Sequence, residues 1–145
     1  MSITKQMTKP YTDWVYQGNP FEPNSLEDWY GFVYEIEEIS TGKKYIGKKF
    51  FWKTKTLPIT KSRKRRKKTL VESDWRTYYG SSEVLKERVA RGESLYNRVI
   101  LRLCRSKGEC SYYEAKLQFE YDVLLRDDYY NEFIGCKIHS KHVKV

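Results

Sequence analysis

The chain has 145 residues, 39% hydrophobic and 16% aromatic, and a formal net charge of +9. That length suits one domain able to bury roughly two thirds of its unfolded surface, so no disulfide or structural metal is required. The three scattered cysteines (Cys104, Cys110, Cys136) suit a reducing cytoplasm, and neither a signal-peptide core nor a membrane-length apolar run occurs.

Charge placement is more informative than the total. No acidic residue lies between Glu38 and Glu72, where thirteen basic residues fall, so the remainder of the chain carries −4. A cationic region on a mildly acidic body points to a polyanionic partner. Nucleic acid fits best and an anionic membrane surface less well.

Residues 1–28 are polar, carry Pro10, Pro20 and Pro23, and show no strand or helix period, so they read as an extended arm pinned by Trp14, Val15, Tyr16 and Phe21. A single domain is expected over 29–145. It opens with a β-hairpin, Tyr30 to Phe50. On its first strand Phe32, Tyr34 and Ile36 alternate with Val33, Glu35 and Glu37, the period of a half-buried strand. Ser40-Thr41-Gly42-Lys43 supplies the turn. Gly31 and Gly47 sit inside otherwise good strands, where glycine implies close approach of something to the backbone. Tyr34 and Tyr45 are expected side by side across the ladder.

Residues 53–72 read as a long basic loop, because Pro58 and the block Arg63-Lys64-Arg65-Arg66-Lys67-Lys68 break any pattern. Such a block, with no interleaved aromatics, binds phosphates rather than bases. A short helix follows Gly80-Ser81-Ser82, with Ser82 as N-cap, Val84, Leu85 and Val89 on one face, and Gly92 as its stop. Tyr96 to Leu103 is the third strand, with Val99, Leu101 and Leu103 on one face. Lys107-Gly108-Glu109 reads as a break. A second helix is expected to open at Ser111, with Leu117, Tyr121, Leu124 and Leu125 inward. The chain then ends in a loop around Asn131, a short strand from Phe133 to Ile138 and a basic tail.

The expected architecture is therefore α/β: a small, mainly antiparallel three-stranded sheet flanked by helices, with a basic loop after the second strand. Gly31-Phe32-Val33-Tyr34, ten intervening residues and Tyr45-Ile46-Gly47 resemble the motif of the GIY-YIG nucleases. Glu114 on a later helix and Asn131 shortly after it resemble the two downstream family positions. The Tyr45-to-Phe50, Ser73-to-Ser82 and Tyr112-to-Phe119 segments are similar to the free-standing Seg-type phage endonucleases. The resemblance covers about residues 30–138.

It implies hydrolysis of DNA phosphodiester bonds with one divalent metal ion, Mg2+. Glu114 would be the metal's only carboxylate ligand. Tyr34 or Tyr45 would take a proton from water, with Lys48 and Lys49 lowering a phenol pKa that is ordinarily near 10. Asn131 would hold the phosphate region or a tyrosine. Gly31 and Gly47 would let a phosphate and the Glu114 helix come close, and the arginine block with Lys48 would track duplex DNA. The family's arginine, on a helix just after the Tyr-Ile-Gly strand, has no counterpart there. Lys49, Arg76 and Arg88 stand as alternatives, Arg88 because Gly80 to Arg88 repeats the family's glycine-to-arginine spacing.

Structural readings compete with these. Tyr34 and Tyr45 could be a cross-strand aromatic pair, Glu114 could close a capping box on Ser111, and Asn131 is an ordinary turn residue. Neither Cys104–Cys110 nor Cys136-x-x-His139-x-x-His142 has the spacing of a zinc finger. A monomer that nicks or a homodimer would suit the nuclease reading. The competing function is a non-catalytic nucleic-acid-binding protein, including a degenerate nuclease.

Overall fold

The computed structural model describes residues 13–61, 67–92 and 94–135. Strands β3 (Gly31–Glu38) and β4 (Lys44–Phe50) form the expected hairpin, with Gly42 at φ +73° in the turn. β3 is central, because β7 (Tyr96–Cys104) pairs antiparallel on its other side. It is therefore buried on both faces rather than half-buried. Phe32, Tyr34 and Ile36 pack with Trp14, Trp75 and Leu85 on one side of the sheet. Val33 packs with Ile46, Cys104, Cys110 and Val123 on the other. Each such large apolar side chain contributes roughly 1.5–3 kcal/mol on burial.

The sheet has five strands, not three. β1 (Trp14–Tyr16) lies parallel to β7, and β2 (Asn19–Pro20) folds back on it, giving the order β2-β1-β7-β3-β4. The arm is thus partly strand: Trp14 is buried, and its Nε1 donates to Trp75 O at 2.7 Å. Short strands of this kind carry too few residues to show a period in sequence.

β7 departs from simple alternation. Val33 pairs with Arg102 but Tyr34 pairs with Ile100, so Leu101 is an extra residue in the ladder. Such a bulge shifts the facing of every residue beyond it. Ile100 and Leu103 consequently share the Phe32 side, and Leu101 packs on the opposite one, which overturns the expected Val99–Leu101–Leu103 face.

Helix α1 (Glu83–Arg91) matches expectation at both ends: Ser82 Oγ accepts from Leu85 N, and Gly92 adopts φ +67°. Only Leu85 of its apolar residues is buried, and Val84 is exposed. Helix α2 (Lys107–Glu120) begins a turn earlier than expected. Ser106 is its N-cap, accepting from Glu109 N, so Glu114 lies mid-helix and belongs to no capping box. Its buried residues are Cys110, Ala115 and Gln118, whereas Leu124 and Leu125 are exposed beyond its end. The two helices lie against opposite sides of the sheet.

The expected basic loop is a second hairpin over much of its length. β5 (Trp52–Leu57) and β6 (Lys67–Glu72) pair antiparallel through six residue pairs. Trp52-Lys-Thr-Lys-Thr-Leu57 alternates long and β-branched residues, a strand-compatible pattern that the positive charge obscured. No strand forms over Phe133–Gly135. The remainder of that expected strand, the Arg63-Lys64-Arg65-Arg66 block, Cys136, His139 and His142 lie outside the described residues.

Candidate active site

β4 is one edge of the sheet, and its unpaired side is closed by the segment after α2. Lys44 N donates to Asp128 O and Tyr130 N to Lys44 O. Asn131, buried, then completes the edge with its side chain: Oδ1 accepts from Ile46 N at 3.1 Å and Nδ2 donates to Ile46 O at 2.8 Å. Gln118 of α2 adds a second donor to Ile46 O at 2.9 Å. The amide of Asn131 thus does the work of a strand backbone, holding Tyr45 and Gly47 in register from the residue between them.

Beside this edge runs a groove of about 330 Å³ whose lining includes Tyr45, Lys48, Ser81, Glu114 and Asn131. A neighbouring recess shares Lys48, Ser81 and Glu114 and continues past Lys49, Asp74 and Lys53. At the junction Lys48 Nζ meets Glu114 Oε1 at 3.0 Å, the carboxylate side chain being 14% exposed.

Tyr34 and Tyr45 are diagonal rather than opposite: Tyr34 pairs with Gly47 and Tyr45 with Ile36. Their rings are 6.3 Å apart. The pairing explains Gly47, since a Cβ there would lie 2.5 Å from the Tyr34 hydroxyl oxygen. A ring, not a phosphate, occupies the space that this glycine leaves. At Gly31 the close neighbours are Lys49 O and Cys110 Sγ, so that glycine does admit the Glu114 helix.

Tyr34 is fully buried, and its hydroxyl makes no hydrogen bond among the described residues. Burial pushes its pKa well above the ordinary tyrosine range, and the neighbouring Tyr78 and Tyr45 push the same way. Tyr45 is only partly buried, and its hydroxyl shares a 2.8 Å hydrogen bond with Ser81 Oγ. Burial raises its pKa too, Ser81 opposes this, and the Glu114 charge adds to the rise. The expected lowering by lysines therefore does not occur. Lys48 is paired with Glu114 and Lys49 with Asp74 at 2.7 Å, which offsets the positive charge that each lysine brings near the phenols.

The three alternatives for the family arginine each face a carboxylate. Lys49 holds Asp74, lowering its pKa, and lies over the Tyr78 ring. Arg76, half-exposed, pairs with Glu72 at 3.4 Å and stacks on Trp75. Arg88 Nε donates to Glu38 Oε2 at 2.7 Å, where Thr41, Tyr96 and Tyr130 also donate to that buried carboxylate. Of the three, only Lys49 lines the neighbouring recess that shares Lys48 and Glu114 with the groove. Lys68 is exposed on β6, and Lys67 opens that strand. Sequence reasoning missed Ser81, Asp74 and Tyr78. Ser81 looked like a spare residue before the N-cap Ser82, and its partner lies 36 residues away.

The profile described as "Putative endonuclease segE, GIY-YIG domain" matches residues 14–134. The chain belongs to this GIY-YIG endonuclease family. The match begins at β1, so the parallel strand of the arm falls within the GIY-YIG domain. No curated protein and no solved structure gives a significant match. Among the described residues, no three His, Cys, Asp or Glu side chains cluster as a metal cage. The GIY-YIG groove nevertheless fits an ion such as Mg2+, which can take one carboxylate and fill its other positions with water and substrate oxygens. Glu114 is the carboxylate that lines this groove together with Lys48 and Tyr45. No helix of the described residues is long and apolar enough to cross a membrane.

Proposed function

We propose that this chain is a metal-dependent DNA endonuclease that hydrolyses phosphodiester bonds of duplex DNA. The supporting observation is the meeting of Glu114, Lys48, Tyr45 and Ser81 in one groove, under which Tyr34 is buried. A bound Mg2+ would supply positive charge at the scissile phosphate. Glu114 would hold it, and Lys48, displaced from Glu114, would pair with a phosphate oxygen. Tyr45, oriented by Ser81, would hold the attacking water. Its acceptance of a proton requires the phenolate, which a nearby cation favours once Glu114 is neutralised. Tyr34, kept neutral by burial, suits a hydrogen-bond donor rather than a base. Asn131 would act on Tyr45 through Ile46 and not on the phosphate directly. Lys49 is the best-placed substitute for the family arginine, because it lines the adjoining recess with Lys48 and Glu114.

The likeness of the Tyr45-to-Phe50, Ser73-to-Ser82 and Tyr112-to-Phe119 segments to the Seg-type endonucleases makes a phage-encoded enzyme part of this reading. One groove per chain suits a monomer that nicks each strand in turn or a homodimer. A non-catalytic DNA-binding protein is favoured by one observation: all three arginine substitutes already face carboxylates.

Supercoiled plasmid incubated with the protein in Mg2+ or EDTA separates these readings. Nicking is expected only with metal, and Glu114→Gln should reduce it at least about hundredfold. Nicking by Glu114→Gln at the wild-type rate would show the catalytic assignment to be wrong.

A further inference from the structure

The β5–β6 ribbon projects both of its faces to solvent at the strand centre, where Lys53, Thr54, Lys55 and Thr56 are all exposed. An isolated two-stranded ribbon is marginally stable in water, so this shape implies a surface that meets a partner. Its two faces differ. Trp52 and Leu70 turn toward a recess bordered by Trp29, Tyr30 and Arg105. Lys53, on the other face, lines the same recess as Glu114 and Lys48, which Trp52 at the base of the ribbon also borders. Alternation and cross-strand register place Lys55 and Thr69 on that face too. The base of the ribbon therefore borders the recess that holds Glu114, and its Lys53–Lys55 face runs outward from there.

Resting on the nuclease reading above, we infer that this ribbon enters the major groove of the duplex whose scissile phosphate lies at Glu114. Six pairs at about 3.4 Å per residue make it roughly 20 Å long. Two strands about 4.8 Å apart, with side chains, match a major groove about 12 Å wide and exceed a minor groove about 6 Å wide. Lys53 and Lys55 neutralise phosphates along the groove, and Thr69, directly across from Lys55, faces base edges. The ribbon thereby fixes where along the DNA the cut falls, a role different from the sequence-blind phosphate binding of a cationic loop.

The test is fluorescence anisotropy of a labelled duplex in EDTA, where no cleavage intervenes. Three probes are compared: the plain duplex, one with bulky C5 substituents filling the major groove, and the plain duplex saturated with a minor-groove ligand. Wild type should lose about tenfold on the filled duplex and keep its affinity beside the minor-groove ligand. Lys53→Gln/Lys55→Gln should be insensitive to the filling, and its salt slope should fall by about 2. Equal wild-type affinity for filled and plain duplex, or an unchanged salt slope in the variant, would overturn the inference. Mg2+-dependent nicking that survives such a result removes the ribbon alone. Groove sensitivity without nicking keeps the ribbon and removes the nuclease.

Discussion

Two acidic residues, Glu38 and Glu114, each face a basic side chain, yet they do opposite things. Glu38 is buried and accepts from Arg88, Thr41, Tyr96 and Tyr130. Burial raises its pKa, but these four donors prevail and hold it at about 2. Glu114 lines an open groove and, among the described residues, has one cation, Lys48, against it. A carboxylate whose lone pairs are filled by fixed donors is a structural post. One with a single exchangeable ammonium can take another cation. The same contrast sorts the basic partners: Arg88 is tied to the post, and Lys48 is the displaceable counter-ion.

The largest effects should come from breaking each pair and comparing the damage. Glu38→Gln leaves Arg88 without its charge partner, and thermal unfolding should show Tm lower by roughly 10 °C. Nicking per folded molecule should remain. The reverse pattern, stable protein with lost nicking, would place Arg88 and Glu38 in catalysis. Acid sharpens the same point. A carboxyl whose folded pKa is depressed contributes stability that is present above about 4.5 and lost as pH falls toward 2. Tm should decline through that window in wild type and much less in Glu38→Gln. Asp74 and Asp128 shift in the same direction but are themselves solvent-exposed, so they should add little.

Smaller effects are expected at the groove. Lys48→Gln should change stability by less than about 1 kcal/mol, as a partly exposed pair does, while nicking slows about tenfold or more through loss of the phosphate's cation. Equal nicking by this variant would make Lys48 a mere counter-ion. Ser81→Ala should slow nicking only several-fold, because it removes one hydrogen bond that orients Tyr45. The loss should appear in kcat and not in KM.

Local features were legible in the sequence where they depend on neighbours. The β3–β4 hairpin, its Gly42 turn and helix α1 between Ser82 and Gly92 all follow from residues within a few positions of each other. Features made by distant partners were not. Glu38 gathers donors from positions 88, 96 and 130. The Leu101 bulge is visible only in the pairing of β7 with β3. Ser106 and Ser111 are both plausible N-caps, and the packing of Cys110 against the sheet selects the earlier one. Tyr45, Glu114 and Asn131 were found as a set by resemblance, but their contacts reassign two of them. Asn131 pairs with β4, and the tyrosines are raised in pKa rather than lowered. The cationic stretch misled most, since like charge masked a strand pattern in β5.

On the proposed function, metal-dependent cleavage depends on the carboxylate of Glu114. Single-turnover nicking of supercoiled plasmid, wild type beside Glu114→Gln, each in Mg2+ and in EDTA, tests it most directly. The account predicts nicked circles only for wild type with Mg2+, from two proteins of equal Tm and equal DNA affinity in EDTA. Nicking that persists in EDTA, or an equal rate from Glu114→Gln, would contradict it.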